Sequence, residues 1–153
     1  MGLKITLRGA EKVRDALFNL PENLVGKGGT AVRASVRKAA KLIRDRAAVN
    51  LEAQISQPNI GPEETTGLLV ENLVVQKGKD PSENGERQVV KIRSKEYPSG
   101  ATTTQVGRLL EYGSEKREPM PWMRPAFESS KEEAAQLMID ELDRRLAKIW
   151  RSV

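Results

Sequence analysis

The sequence predicts an α+β domain in which a small antiparallel β-sheet, formed by an N-terminal strand plus a hairpin, packs with two long helices and one short helix. Three observations support this prediction: alternating apolar residues near the N-terminus, a second alternating stretch after a turn-rich segment, and two long stretches with apolar residues at helical spacing. The 153 residues fit one domain, 1–153. Because only 4% of residues are aromatic, aliphatic and alanine side chains must fill its core.

The N-terminal part of the chain predicts a strand followed by the short helix. Residues 3–7 alternate between apolar and polar, which is typical of a strand with one buried face. Apolar residues then recur at helical spacing over 10–20, and Pro21 ends that pattern because the residue before a proline avoids the α region. Charges interrupt the first residues, and no long apolar run follows, so we expect neither a signal peptide nor a membrane segment.

The first long helix is predicted to begin at Thr30, whose hydroxyl suits an N-cap, after a loose joint of glycines at 26, 28 and 29. One face of this helix is apolar: Val32, Val36, Ala39, Ile43, Ala47 and Leu51. A second face is basic: Arg33, Arg37, Lys41 and Arg44. All the excess positive charge lies in the first third of the chain, so the basic face is a solvated surface or a contact with nucleic acid or with an acidic protein face.

The middle of the chain predicts a hairpin between irregular segments. Residues 67–77 are apolar on both sides, as in a strand covered on both faces, and a turn-rich segment leads to a second strand over 87–95. In that second strand Val90 and Ile92 share one face and the basic residues share the other. Segments 55–66, 79–86 and 96–107 are predicted to be loops that become ordered against neighbouring proteins.

The last long helix is predicted to follow a proline-rich segment, with Pro125 in its first turn. Acidic residues near its start and basic residues near its end favour the helix dipole. Two ion pairs are predicted four residues apart, Asp140 with Arg144 and Glu141 with Arg145. The predicted apolar stripe is Ala135, Met138, Leu142, Leu146 and Ile149.

The residue types available disfavour enzymatic chemistry. The chain has no histidine and no cysteine, so it lacks the commonest general base, a thiol nucleophile and the ordinary zinc ligands. The adjacent carboxylates at 63–64 and 132–133 point apart on a strand or helix and sit in polar segments. We therefore expect no enzyme, no cofactor and no metal site.

The segment 118–127 is the most distinctive part of the sequence. Three prolines between 119 and 125 stiffen the backbone and alternate with apolar side chains. Phe127 is predicted to belong to the core, whereas Trp122 suits either the core or an interface between proteins.

Three short motifs occur in order along the chain: Thr66-Gly67-Leu68-Leu69, Leu110-Glu111-Tyr112-Gly113-Ser114, and Pro121-Trp122-Met123-Arg124-Pro125-Ala126. Their order and setting resemble the tail-component family of tailed bacteriophages typified by gene product ten of phage HK97, over nearly the whole chain. Ser114 stands where that family usually has Thr, Trp122 where it usually has Phe, and the segment before Thr66 is longer than usual.

The resemblance implies a structural virion protein that acts in tail completion and head–tail joining as a ring of identical subunits, with six-fold symmetry. Implied partners are itself and other neck or tail proteins, such as the connector, tail terminator or tail tube, close to phage DNA and without a membrane. The implied location is the virion neck, after assembly in the bacterial cytoplasm. The candidate motif and interface residues are Thr66, Gly67, Leu69, Glu111, Tyr112, Gly113, Pro121, Trp122, Arg124 and Pro125.

Two further expectations concern these residues. Gly67 and Gly113 are predicted to allow backbone turns beside strands, and Glu111 is predicted to pair with Arg124 or Arg108. The alternative function is a basic nucleic-acid-binding protein, which would use the basic face of the first long helix.

Overall fold

A computed structural model of the chain describes residues 22–58, 60, 67–79 and 86–151. The strand predicted over 3–7 and the short helix predicted over 10–20 lie outside these residues. The described elements are α1 (Glu22–Ile55), α2 (Leu68–Glu71), β1 (Leu73–Lys77), β2 (Gln88–Ile92), α3 (Thr103–Tyr112) and α4 (Met123–Arg151). A two-stranded antiparallel sheet with helices confirms the predicted α+β class. Within the described residues, no helix is long and apolar enough to cross a membrane.

Helix α1 begins earlier than predicted. It starts at Glu22 and continues through Gly26, Gly28 and Gly29, so the predicted glycine joint and the cap at Thr30 are wrong. Each helical glycine costs about 1 kcal/mol relative to alanine. A helix that is already formed nevertheless gains a hydrogen bond with each added residue, which offsets part of this cost.

Helices α1 and α4 pack side by side in antiparallel directions and form the main body of the fold. Ion pairs link Lys38 with Glu141 at 2.9 Å and Arg46 with Glu133 at 3.0 Å. The core between and beside the helices is rich in alanine, as the low aromatic content predicts, and includes Ala39, Ala40, Ile43, Ala47, Leu51, Ala126, Ala134, Met138 and Leu142.

The predicted apolar stripes agree with this packing in most positions. On α1 the last four predicted residues are buried, and Val32 and Val36 are half-buried. On α4 Met138 and Leu142 are buried, but Ala134 is buried in place of Ala135. Small side chains let the two helix backbones approach closely, which ties the position of α4 to that of α1.

The hairpin is confirmed, but both strands are shorter than predicted, and β2 covers Gln88–Ile92 instead of 87–95. Strands β1 and β2 pair antiparallel with Leu73 opposite Ile92 and Lys77 opposite Gln88. Residues 68–71 form the helical turn α2 instead of the strand predicted from residue 67. Gly67 has a φ of 82°, and the main-chain and side-chain N–H groups of Asn72 both donate to the carbonyl of Leu68. These local hydrogen bonds favour a turn over a strand.

The face of β2 follows the predicted alternation. Val90 is buried and Ile92 is half-buried, whereas Lys91, Arg93 and Lys95 are exposed. Lys91 lies in β2, Arg93 and Lys95 lie beyond its end, and Arg87, which alternates with them, is half-buried, so the predicted basic outer face is present in part.

Helix α3 replaces part of the loop predicted over 96–107. Thr102 and Gln105 form a reciprocal capping box at its start, which is a helix signal that the loop interpretation overlooked. The hydroxyl of buried Thr103 donates to the Arg93 carbonyl and accepts from the Lys95 amide. These bonds attach the first turn of α3 to the chain that leaves β2.

Candidate functional site

The second and third motifs meet where α3 ends and α4 begins; we call this region the α3–α4 junction, residues 107–125. Gly113 ends α3 with φ 72° and ψ −171°, a conformation that only glycine adopts readily. A Cβ at this position would lie 2.7 Å from the carbonyl oxygen of Arg117. The chain then turns back, and the amide of Met120 donates to the carbonyl of Leu110 at 2.7 Å. The proline-rich segment is thereby held against the end of α3.

The buried carboxylate of Glu111 caps the start of α4. It accepts hydrogen bonds from the main-chain amides of Trp122, Met123 and Arg124 at 2.8, 2.9 and 3.0 Å. The next residue, Pro125, has no amide hydrogen. A helix start presents four N–H groups without partners inside the helix. Here three of these N–H groups donate to the Glu111 carboxylate, and the fourth position is Pro125, which has no N–H. The start of α4 therefore leaves no amide without an acceptor.

The predicted ion pair of Glu111 was therefore wrong in its chemistry. Arg124 does contact Glu111, but through its main-chain amide, and the described hydrogen bonds of this carboxylate all come from the backbone. The positive end of the α4 dipole provides the favourable field that a guanidinium was expected to provide.

Trp122 belongs to the core. Its indole N–H donates to the Gly107 carbonyl at 2.9 Å, and its own carbonyl accepts from the Asn50 side chain at 3.1 Å. A Cβ on Gly107 would displace the end of the Ile92 side chain and would lie in ordinary contact with the Trp122 ring at 3.5 Å. Trp122 thus joins α3, α1 and the start of α4. Phe127 is half-buried and packs against the same core, as predicted.

The first motif also reaches the junction. Leu69 is fully buried, and its Cδ2 atom lies 3.7 Å from the Cβ position of Gly107. Gly67 adopts its positive φ beside α2, and Gly113 does so at the end of α3 rather than beside a strand. Thr66 lies outside the described residues. Of the other candidates, Pro121 is half-buried and three are exposed: Tyr112, Arg124 and Pro125.

The outer face of α3 lines an open groove. Among the residues of this helix face, the sequence predicted only Tyr112 as an interface candidate. Gln105, Arg108, Leu109, Tyr112 and Gly113 line an open groove of about 530 Å³. The first four residues recur at i, i+3, i+4 and i+7, which places them on one helix face. That spacing is a sequence signal that the loop interpretation of 96–107 concealed.

The predicted basic face of α1 is divided by contacts within the fold. Arg33 pairs with Glu86 at 3.4 Å. Arg44 donates to the Leu73 carbonyl at 2.9 Å and pairs with Asp45 at 2.8 Å. Arg37 and Lys41 are exposed. The stripe therefore presents less uninterrupted positive charge than its sequence suggests.

A second buried carboxylate, Glu141, lies between α1 and α4. It pairs with Lys38 at 2.9 Å and with Arg144 and Arg145 at 2.7 Å each. Hydrogen bonds from Arg144, Lys38 and Arg145 lower the pKa of Glu141 well below its ordinary value. The predicted pair of Glu141 with Arg145 is confirmed. The predicted pair of Asp140 with Arg144 is wrong, because Arg144 turns to Glu141 while Asp140 accepts from Gln136.

Neither metal chemistry nor a known relative identifies the site. Within residues 22–58, 60, 67–79 and 86–151, no group of three or more acidic, histidine or cysteine side chains is arranged to hold a metal ion. Comparison with known proteins finds no matching family model, no matching curated protein and no matching solved structure. The features that bear on function are therefore the sequence motifs and the geometry of the junction.

Proposed function

We propose that this chain is a structural virion protein of a tailed bacteriophage or prophage, acting in tail completion and head–tail joining as one subunit of a ring. One observation carries the proposal. The motifs that resemble phage tail-completion proteins are separate in sequence, yet they meet at the α3–α4 junction and complete each other there through Glu111. Because one motif supplies the carboxylate that caps the helix start formed by the other, the two motifs favour a shared fold over a chance resemblance between short sequences.

The chemistry of the junction suits a scaffold. Its buried carboxylate is engaged by three amides, which favours a fixed helix orientation over proton transfer. The exposed motif residues Tyr112, Arg124 and Pro125 surround this rigid region and are the proposed contacts with neighbouring subunits or with connector and tail proteins. Rigid presentation of such residues lowers the entropy cost of assembly.

The alternative of a nucleic-acid-binding protein receives less support. Duplex binding requires several cations that can contact phosphates together. Ion pairs and a carbonyl contact within the fold engage Arg33 and Arg44, and Lys38 is engaged by Glu141. We expect weak duplex binding at physiological salt, and a fluorescence anisotropy titration across salt concentrations measures it. Tight binding with a steep salt dependence would favour the alternative.

Disruption of the gene in the phage or prophage that carries it tests the proposed function. Electron microscopy of the induced lysate is expected to show filled heads and tails that are not joined, or tails of abnormal length. A plasmid copy of the wild-type gene should restore infectious particles, and a Thr104→Ala copy should do so equally because Thr104 is exposed outside the motifs. Normal infectious virions from the disrupted phage would reject the proposal.

A further inference from the structure

The large exposed apolar side chains of the described residues lie on two helices, α1 and α3. In the part of the chain that the structure describes, three such side chains are exposed: Val49 at 64%, Tyr112 at 43% and Leu109 at 37%. Isolated exposed apolar residues are ordinary on protein surfaces, but Leu109 and Tyr112 are neighbours on α3 and line the open groove together. We call the residues Gln105, Arg108, Leu109 and Tyr112 the α3 stripe.

The α3 stripe has the residue types of an interface centre. Tyrosine and arginine are enriched in such centres because they combine a large apolar contact area with hydrogen-bonding groups. Arg108 is exposed beside Leu109 and gives the stripe a positive charge. A partner for this surface should present an apolar side chain beside a carboxylate.

Helix α1 presents that combination on its solvent face. Asp45, Val49 and Glu52 recur at i, i+4 and i+7, and all three are exposed. We call these residues the α1 stripe. Asp45 is already paired with Arg44, which leaves Glu52 as the carboxylate better placed to meet a cation on another molecule. Each stripe extends about 10 Å along its helix, from the rise of 1.5 Å per residue, so the two match in length.

We infer that the α3 stripe of one copy docks onto the α1 stripe of a second copy, with Leu109 and Tyr112 against Val49 and Arg108 facing Glu52. The inference depends on charge complementarity and on the placement of the exposed apolar side chains. It also rests on the proposed function for one expectation, namely that the contact repeats from copy to copy. Because the two surfaces differ, the contact is head-to-tail and can close into a ring.

Cysteine cross-linking tests this contact directly, because the chain contains no cysteine of its own. A chain carrying both Val49→Cys and Leu109→Cys is expected to form a ladder of covalent multimers on mild oxidation. The matched control pairs Val49→Cys with Lys91→Cys, since Lys91 is exposed on strand β2 and belongs to neither stripe. This control should form few multimers. Equal yields from both pairs, or no multimers from either, would overturn the contact.

Charge reversal gives an independent measurement. Arg108→Glu should weaken self-association on the order of tenfold by sedimentation velocity, because two like charges then oppose each other. Adding Glu52→Arg in the same chain should restore most of the loss. Both positions are exposed, and circular dichroism melts should confirm that the variants fold. Unchanged association of Arg108→Glu, or a wild-type chain that stays monomeric at every concentration, counts against the contact.

The outcomes separate this contact from the proposed function. If rings form but neither cross-linking nor charge reversal responds as expected, the contact fails and the virion role stands. If the cross-links form as expected while the disrupted phage still yields normal virions, the contact stands and the virion role fails.

Discussion

Two buried carboxylates in this protein are satisfied in opposite ways. Glu111 receives three main-chain amides from the first turn of α4, whereas Glu141 receives the side chains of Lys38, Arg144 and Arg145. Main-chain donors are fixed in place by the backbone. The three cationic groups that bind Glu141 instead lie at the ends of partly exposed side chains, which can move or be replaced. Glu111 therefore fixes the local geometry of the junction, whereas Glu141 binds two arginines of its own helix and joins α4 to α1 through Lys38.

Replacement of Glu111 should have the largest effect. Glu111→Ala leaves three amides near the core without an acceptor, and we expect the free energy of unfolding to fall by about 4 kcal/mol. Glu111→Gln keeps one carbonyl oxygen but loses the charge, so a loss of about 2 kcal/mol is expected. Urea denaturation measures both. Glu115→Ala, at an exposed position, is the control and should change stability by less than about 0.5 kcal/mol. Similar losses for Glu111→Ala and the control would contradict the capping role.

Gly113→Ala tests the backbone conformation at the end of α3, next to Glu111. The alanine would adopt a conformation reserved for glycine and its Cβ would press on main-chain atoms of Arg117 and Pro119, so we expect a loss of about 3 kcal/mol. Gly67→Ala is the matched control, because Gly67 also has a positive φ but has open space around its Cβ position. Its cost should be only about 1 kcal/mol. Thermal denaturation of both variants measures these losses. An equal decrease in melting temperature would show that the crowding at Gly113 is unimportant.

Trp122→Phe should have a smaller effect at the same junction. Phenylalanine retains an aromatic ring but not the indole N–H that reaches Gly107. We expect a loss of about 1–2 kcal/mol, from one hydrogen bond and some packing. Phe127→Leu, at a half-buried aromatic position without this bond, serves as the comparison. An increase in stability for Trp122→Phe would mean that the bond to Gly107 contributes nothing.

Acidification tests the ion cluster around Glu141. Because the pKa of Glu141 is lowered in the folded state, the folded protein holds fewer protons at this site than the unfolded chain. Its contribution to stability is therefore complete above the ordinary carboxyl pKa of 4.5 and declines as the pH falls below that value. Denaturation curves across this range should show a shallower acid loss in Glu141→Gln than in wild type, with exposed Glu132→Gln behaving as wild type. Parallel curves for Glu141→Gln and wild type would contradict the ion cluster.

Periodicity and spacing predicted much of the fold. The apolar stripe of α1, the faces of β2 and the pair of Glu141 with Arg145 follow from repeats that one helix or strand imposes on its own residues. Helix α3 was missed because a loop was assumed where Thr102 and Gln105 form a capping box. The partners of Glu111 were missed for a different reason. Every residue except proline has a backbone amide, so the sequence does not indicate which amides a carboxylate binds. An ion pair with a nearby arginine is then the simpler prediction.

The two ion pairs between α1 and α4 have a consequence for how the helices are aligned. The step from Lys38 to Arg46 along α1 equals the step from Glu141 to Glu133 along α4, taken in the opposite direction. Sliding α4 by about one turn of four residues would bring Lys38 to Arg145 in one direction and to Leu137 in the other. Both pairs would be lost together. Two pairs in step therefore disfavour a slide of one turn in either direction, which helps the alanine-rich interface keep its register.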